Sequence, residues 1–418
     1  MSEEFLHYIW QFQLFNKKEL LTQNGDPINI ISVGTLNRNS GPDFLNAEII
    51  LDGLKWHGHV EIHINEKDWY NHKHHEDGAY KNVILHVIWN SQEIETGIAT
   101  LELQDHVSLS LLNRYENFIS PSNEILCSSQ IGSIDPIVIA GMQGKTLAQR
   151  LERKSNDIIN LLKERKGDWE QTTFEILGRS FGFKINSDAF STLCERIPYK
   201  IVRKIGQNIF QLEALFFGMS GLLEITEKED AYKEKLRSEF LYLQKKYDLK
   251  VAIGAVEWKF LRLRPHNFPT VRLAQFSALL SFNDNLFSSL LNYNSSSNLL
   301  EIQASDYWHS HFKFGKKSES ASGKLGIESQ RNLKINTLAP LIFSYGLYYD
   351  NESYKEEAVM LLESITSEHN VIIKKWKKLG VKPKSASESQ SLIELYNEFC
   401  LRKKCLSCTI GSGIIRQL

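Results

Sequence analysis

Cysteine is scarce and odd in number. Five residues among 418 argue against a disulfide framework and leave thiols for metal or for burial. Long apolar runs are missing altogether: nothing approaches the roughly 18 consecutive apolar residues of a membrane span. The start MSEEFLHYIW carries acids where a secretory leader would be basic, so the expectation is a cytoplasmic protein with no membrane partner. Neither sign of charge is in excess. With 49 Lys/Arg against 50 Asp/Glu, the formal net charge is −1, which excludes bulk attraction to nucleic acid as a driving force. Bias toward disorder or fibre is also lacking, because 42% apolar and 24% charged residues supply material for two or three packed cores.

What is present is unevenly placed. Residues 1–106 hold seven Lys/Arg against sixteen Asp/Glu, and nine of the thirteen histidines, so metal and proton chemistry is concentrated at the front. Basic runs come later, at 374–385, 258–272 and 401–405, each with or beside aromatics. Such runs suit a phosphate backbone with stacked bases, and equally a solvated helix face.

Apolar residues at 5, 8, 9, 12 and 15 predict a first helix over 3–15. Segments 28–33, 44–51, 55–64, 82–89 and 98–103 are β-branched or alternating and read as strands, with room for a short helical stretch at HEDGAYK. From about residue 135 the pattern becomes long helical periodicity, after a linker at SSQIGSID; residues 314–326 read as an exposed loop, and no internal repeat is visible. The expected fold class is α+β: a mixed β-sheet domain over 1–130, an all-α domain over 131–395 and a cysteine-bearing tail over 396–418.

Asp52-Gly53 is a strong hairpin signal. A two-residue turn there pairs Leu51 with Leu54, Glu48 with His57, Asn46 with His59, Ala47 with Gly58, Ile49 with Trp56 and Leu45 with Val60, and places Phe44 near Glu61. His57, His59, Glu61 and His63 then share one strand face and the apolar residues the other. The plainest interpretation is a hairpin with one wet side. A second is a metal strand of His57 and His59 with Glu61 or His63, with Glu4 and Glu48 as secondary candidates. His72, His74, His75 and Asp77 either border such a site or form a solvated His-rich loop.

A third interpretation follows from a resemblance. GPDF at the start of one strand, EIH at the heart of the next and an acidic helix before both resemble the PD-(D/E)XK nuclease superfamily, which implies an αβββαβ core. On that resemblance Asp43 and Glu61 are ligands of Mg²⁺ or Mn²⁺, the Ile62 carbonyl is a third, and His63 stands where the superfamily has Lys. A carboxylate pair holds a hard cation that activates water and neutralises phosphate; imidazole serves as base or water positioner but supplies no permanent charge. In ideal register Asp43 points away from Glu61, so the site requires a bend at Gly41-Pro42 or a bulge.

FCLRKKCLSCTIG places Cys400, Cys405 and Cys408 near the end of the chain. Three thiols at that spacing need a fourth ligand to hold zinc or an iron–sulfur cluster. Cys127 is the candidate, and Cys194 reads as a helix core thiol; free buried cysteines are the alternative. The arrangement is similar to nucleases of the same superfamily that join their ends through an iron–sulfur cluster. Arg402, Lys403 and Lys404 lower neighbouring thiol pKa values in either case.

Taken end to end, EEFLHYIWQF, GPDFLNAEI, GHVEIHINEKDWYNHKHHEDGAYKNVILHVIW, RLRPHNFPTVRLAQ, INTLAPLIFSYG and FCLRKKCLSCTIG resemble a bacterial family catalogued as domain of unknown function 2851, which brings no activity with it. In RLRPHNFPTVRLAQ, Arg262, Arg264 and Arg272 precede or open a helix near Thr270 and suit phosphates, as do Lys403 and Lys404; a clamp onto the acidic first domain is equally compatible. The expectation is a metal-dependent nuclease on DNA or RNA. The alternatives are a non-catalytic nucleic-acid-binding or scaffold protein with a degenerate nuclease fold, and a His-metal enzyme acting on a small molecule.

Overall fold

The computed structural model describes residues 1–37, 39–92, 94–119, 123–224, 230–283, 285–293 and 298–416. The chain divides into two compact units. The first comprises 1–144, 378–380 and 394–418, so the last stretch of chain folds with the N-terminal residues rather than as a separate tail.

The first unit opens with helix α1 (Glu3–Gln11), whose Ser2 hydroxyl accepts the Phe5 N–H and caps its N-terminus. The helix stops four residues short of the expected boundary. Gln13 adopts a left-handed φ of 52° and Leu14 N–H donates to Ile9 O, which closes the last turn. Phe5, Leu6, Ile9 and Trp10 are fully buried, and α1 packs against the sheet at β4.

The sheet contains β1 (Ile28–Ser32), β2 (Thr35–Leu36), β3 (Phe44–Leu51), β4 (Leu54–Asn65), β5 (Val83–Asn90) and β6 (Thr100–Glu102). Its order is β1-β3-β4-β5-β6, with β2 also on β3. The pairs β1/β3 and β3/β4 are antiparallel, and β4/β5 and β5/β6 are parallel. A parallel step needs a crossover; the one-turn helix α2 (Asp68–Asn71) and the segment after it provide it. β5 lies inside the sheet and is buried on both faces over most of its length, which is why its sequence VILHVIW barely alternates. Gly58 lets β5 approach, since a Cβ there would lie 2.4 Å from the Ile84 side chain and 2.5 Å from Asn82 O.

The hairpin pairs Leu51 with Leu54, Ile49 with Trp56, Glu48 with His57 and Ala47 with Gly58, as the turn dictates. Beyond Ala47 the register slips, and Phe44 pairs with Val60. Leu45 and Asn46 together oppose His59: a β-bulge, with Asn46 at φ 58° and its N–H donating to His59 Nδ1 at 3.3 Å. The expected pairings of Leu45 with Val60 and of Asn46 with His59 give way to this insertion. Trp56 is exposed rather than packed, while Ile49 opposite it is buried.

SSQIGSID, expected as a linker, folds as two short 3₁₀ turns within the first unit. The second unit, 145–377 with 381–393, is helical apart from a two-stranded ribbon, His311–Lys313 with Lys316–Lys317. Its central helix, Pro269–Ser281, is buried at every residue. The stretch 314–326 is only partly the exposed loop expected of it: it contributes the second ribbon strand and buries Ala321 and Leu325.

Candidate metal centre

The bulge decides where Asp43 points. Because β3 carries one extra residue, Phe44 joins Val60 in the core, both fully buried, and Asp43 turns to the Glu61 side of the sheet. The two residues then lock reciprocally. Asp43 N–H donates to Glu61 Oε2 at 3.1 Å, and Ile62 N–H donates to Asp43 Oδ2 at 3.0 Å. His7 on α1 brings its Nε2 to 3.2 Å from the same Asp43 oxygen.

On the other side of Glu61 stands a group of imidazoles. Glu61 Oε1 lies 3.1 Å from His74 Nε2 and 3.5 Å from His63 Nε2, and His63 Nε2 lies 3.2 Å from His72 Nδ1. The donors of His63, His72 and His74 all fall within 4.8 Å of one another, and among the described residues theirs is the group of three or more acidic, His or Cys side chains with that property. His63 arrives on β4. His72 and His74 arrive on the segment after α2, which Trp69 fixes through edge contacts with the His74 and His86 rings, and Tyr80 stacks on His74 at 3.9 Å. His74 and Tyr80 of that segment are half-buried against the sheet, while 71–73 and 75–79 are exposed, as a solvated His-rich loop would have them. His72 remains exposed, which leaves the group open to solvent on one side.

His86, paired with Glu61 across β4 and β5, lies behind the group: its Nε2 is 2.9 Å from His63 Nδ1. When His63 Nδ1–H donates to His86, the His63 lone pair is left on Nε2, facing Glu61 and His72.

Burial pushes the Glu61 carboxyl well above its ordinary range, and the Asp43 charge adds to this. Burial and then its imidazole neighbours drive His63 down to about 3; burial takes His86 down to about 4 against the pull of Glu66, and lowers His74 as well. His7 moves the other way: burial opposes its charge, but the hydrogen bond and charge of Asp43 outweigh burial and raise it. Tyr80, half-buried near Glu61, is pushed up to about 12 by desolvation and then by the Glu61 charge. Burial thus disfavours the charged forms of Glu61, His63, His74 and His86 alike, and a bound cation would favour the ionised carboxylate and the unprotonated imidazoles.

The three imidazoles fit one ion, and Glu61 stands beside two of them. Metal–nitrogen and metal–oxygen bonds of about 2.1 Å put neighbouring ligand atoms roughly 3.0 to 3.4 Å apart, close to the three separations above. His74 Nε2 is a buried polar atom with no aligned hydrogen bond. Three imidazoles and one carboxylate suit Zn²⁺, Mn²⁺ or Fe²⁺ better than Mg²⁺, which prefers oxygen ligands and water.

The remaining sequence candidates fall in several places. Asp43, Glu61 and His63 are brought together. His57 leaves the group and pairs with Glu48 at 3.2 Å, as Lys55 does at 3.0 Å, and His59 accepts the Asn46 N–H; the metal strand His57, His59, Glu61, His63 does not form as a unit. Glu4 is exposed, and Glu3 is the acid whose charge is felt by His7. His75 pairs with Glu76, and Asp77 caps the next turn. Arg262, Arg264, Lys403 and Lys404 are exposed. Arg272 is not available to a phosphate: it is buried, donates to Gln275 and Ser329 at 2.9 and 2.8 Å, and lies over the Phe183 ring. Cys127, Cys400, Cys405 and Cys408 belong to the first unit and are not in disulfides, and Cys194 lies in the core of the second. His86 and His7 were missed by the sequence reading. A single His inside the otherwise apolar run VILHVIW was the signal for His86; only the packing of α1 reveals His7.

A family model described as Protein of unknown function (DUF2851) matches residues 3–371. No curated protein and no solved structure gives a significant match.

Proposed function

Since the chain belongs to the family of proteins of unknown function DUF2851, a description that assigns no chemistry, we propose from the site alone that the first unit is a metal-dependent phosphodiesterase of nuclease type. The observation that carries the proposal is the convergence of the His63, His72 and His74 ligand atoms within 4.8 Å of one another, with Glu61 Oε1 beside two of them at 3.1 Å from His74 Nε2 and 3.5 Å from His63 Nε2. The succession α1, three antiparallel-paired strands, α2 and a parallel strand supports the phosphodiester reading, with Asp43 before β3 and Glu61-Ile62-His63 on β4.

A divalent ion held there lowers the pKa of water and offsets charge on a phosphoryl group. The protein's own groups do the rest. Glu61 and the imidazoles supply the ligand atoms, and His86 keeps the His63 lone pair directed at the centre. Asp43 is a positioning residue, fixing β3 against β4 at the Glu61 backbone. His7, held toward its charged form by Asp43, places a cation beside the site, which suits an anionic substrate.

The test is cleavage of single- and double-stranded DNA and RNA by wild type and Glu61→Gln, each with Zn²⁺, Mn²⁺ or Mg²⁺. Cleavage is expected in wild type with a transition metal and its loss in Glu61→Gln. Equal residual cleavage in both would overturn the proposal. Stoichiometric metal binding without cleavage would favour the second reading, a small-molecule metalloenzyme, which the imidazole-rich ligand set also supports.

A further inference from the structure

The helical unit holds a cleft of about 740 Å³. Its walls come from the helices Pro136–Glu164, Trp169–Phe181 and Ser187–Glu195 and from the π-helical stretch Lys334–Leu338. Two hydrogen bonds fix the first of these helices beside the π stretch: Arg150 Nη2 donates to Asn336 Oδ1 at 3.3 Å, and Ser155 Oγ donates to Pro340 O at 3.2 Å. A π turn inserts one residue into a helix and is frequent at functional sites; this one brings Asn336 to the cleft.

Spacing along the long helix sets the charge of the cleft. Arg150, Arg153, Lys154 and Asp157 recur at steps of three and four residues, so they share one helix face. Arg153, Lys154 and Asp157 line the cleft, and the Trp169–Phe181 helix and the turn after it add Arg179 and Lys184. Lys154 is half-buried and, like Arg179 and Lys184, makes no hydrogen bond or ion pair with any described residue. Of the lining acids, Glu175 is already held by Arg165 through two hydrogen bonds at 2.7 and 2.8 Å, and Glu195 accepts the Ser191 hydroxyl at 3.0 Å. Burial, then the charges of Arg150 and Arg153, lowers the Lys154 ammonium to about 8, with Asp157 opposing. An anion relieves a cation so placed.

The rest of the lining includes an apolar wall of Ile158, Leu161, Ile176 and Phe183. Phe183 is set there by the way its helix ends. Gly182 lies against Asn186 O, 2.3 Å from where a Cβ would be, and the left-handed residue that follows is Phe183, at φ 48°, an uncommon conformation for a bulky side chain.

We propose that this cleft binds a nucleoside monophosphate, with Lys154 and Arg179 holding the phosphate and the apolar wall taking the base. Cations without a protein counter-charge call for more than the single charge of a carboxylate, and Arg and Lys both suit phosphate. The volume falls within the roughly 300 to 1,000 Å³ of small-molecule sites. Asp157 and Glu195, both exposed, disfavour an extended polyanion, whose backbone follows a positively charged groove. The site shares no residue with the Glu61 centre and rests on neither the metal nor the phosphodiesterase reading.

The experiment is titration calorimetry of the full chain in EDTA, which keeps metal from the Glu61 centre, with AMP, CMP, adenosine and inorganic phosphate as probes. A nucleoside monophosphate is expected to bind one per chain, more tightly than adenosine or phosphate. Lys154→Met and Arg179→Gln are each expected to weaken it roughly tenfold, the loss of one charge-assisted hydrogen bond, while Lys163→Met, at an exposed position outside the cleft, binds as wild type. Arg179 is exposed, so its variant supplies the readout should Lys154→Met fail to fold. No binding of either nucleotide, or binding unchanged in both variants, would overturn the site. Phosphate binding as tightly as the nucleotides would overturn the role of the apolar wall. A single-stranded oligonucleotide binding far more tightly than AMP, and losing that affinity in Lys154→Met, would overturn the small ligand in favour of nucleic acid.

Discussion

Near pH 5.5, replacing Glu61 by Gln is expected to change the stability of the first unit in opposite directions with and without metal. Without metal, the carboxyl is buried, 4% exposed, beside Asp43, and its pKa in the fold is raised from 4.5. A group raised in the folded state contributes stability below its unfolded value and loses it as pH rises toward the folded value. While Glu61 keeps its proton in the fold, each pH unit above 4.5 therefore costs wild type about 1.4 kcal/mol. Gln has the same shape and no proton to lose, so the advantage of Glu61→Gln in EDTA is expected to grow by about 3 kcal/mol between pH 5.5 and 7.5. Comparing the two proteins at each pH cancels the opposing contribution of His63 and His86. Their folded pKa values are depressed, so they stabilise the fold above 6.5 and take that away as pH falls. Adding Zn²⁺ at a hundredfold excess over Kd stabilises wild type by about 2.7 kcal/mol and leaves Glu61→Gln nearly unmoved, which reverses the order near pH 5.5 and narrows the gap at pH 7.5. Urea unfolding followed by hydrogen–deuterium exchange of the β4 and β5 amides reads the first unit separately from the second. A pH-independent difference between the two proteins, or equal stabilisation of both by metal, would refute the reasoning.

Deleting Asn46 removes the bulge, returns Phe44 to the ideal register and turns Asp43 away from Glu61; metal affinity measured by calorimetry is expected to fall at least tenfold while the sheet's circular dichroism persists. Arg272→Ala strands the Gln275 carbonyl and removes a buried contact on Phe183, at about 1 to 3 kcal/mol for the unsatisfied group. It is expected to lower the melting temperature of the second unit and leave nucleic-acid binding in a mobility-shift assay unchanged, whereas a binding loss at unaltered stability would return Arg272 to the phosphate-contact candidates.

Local rules were enough for much of the molecule. The Asp52-Gly53 turn, the strands on either side of it, the first helix and the change to helical periodicity after residue 135 are each specified within a dozen residues, and the structure follows them. The chemistry of the front section was legible too, since carboxylate and imidazole are concentrated there. Which imidazoles act together was not. His57 and His59 alternate with Glu61 and looked like its partners, yet they lie toward the open end of β4, where Glu48 and Asn46 engage them. His74 reaches Glu61 and His72 reaches His63 from a segment that Trp69 packs onto the sheet, and His86 reaches His63 because β5 pairs with β4. Asp43 faces Glu61 because one residue more is accommodated in β3 than in its partner. The sequence carries the residue types and their local periodicity, because those depend on neighbours along the chain; face, register and convergence depend on contacts between segments distant in sequence, and only the packed sheet decides them.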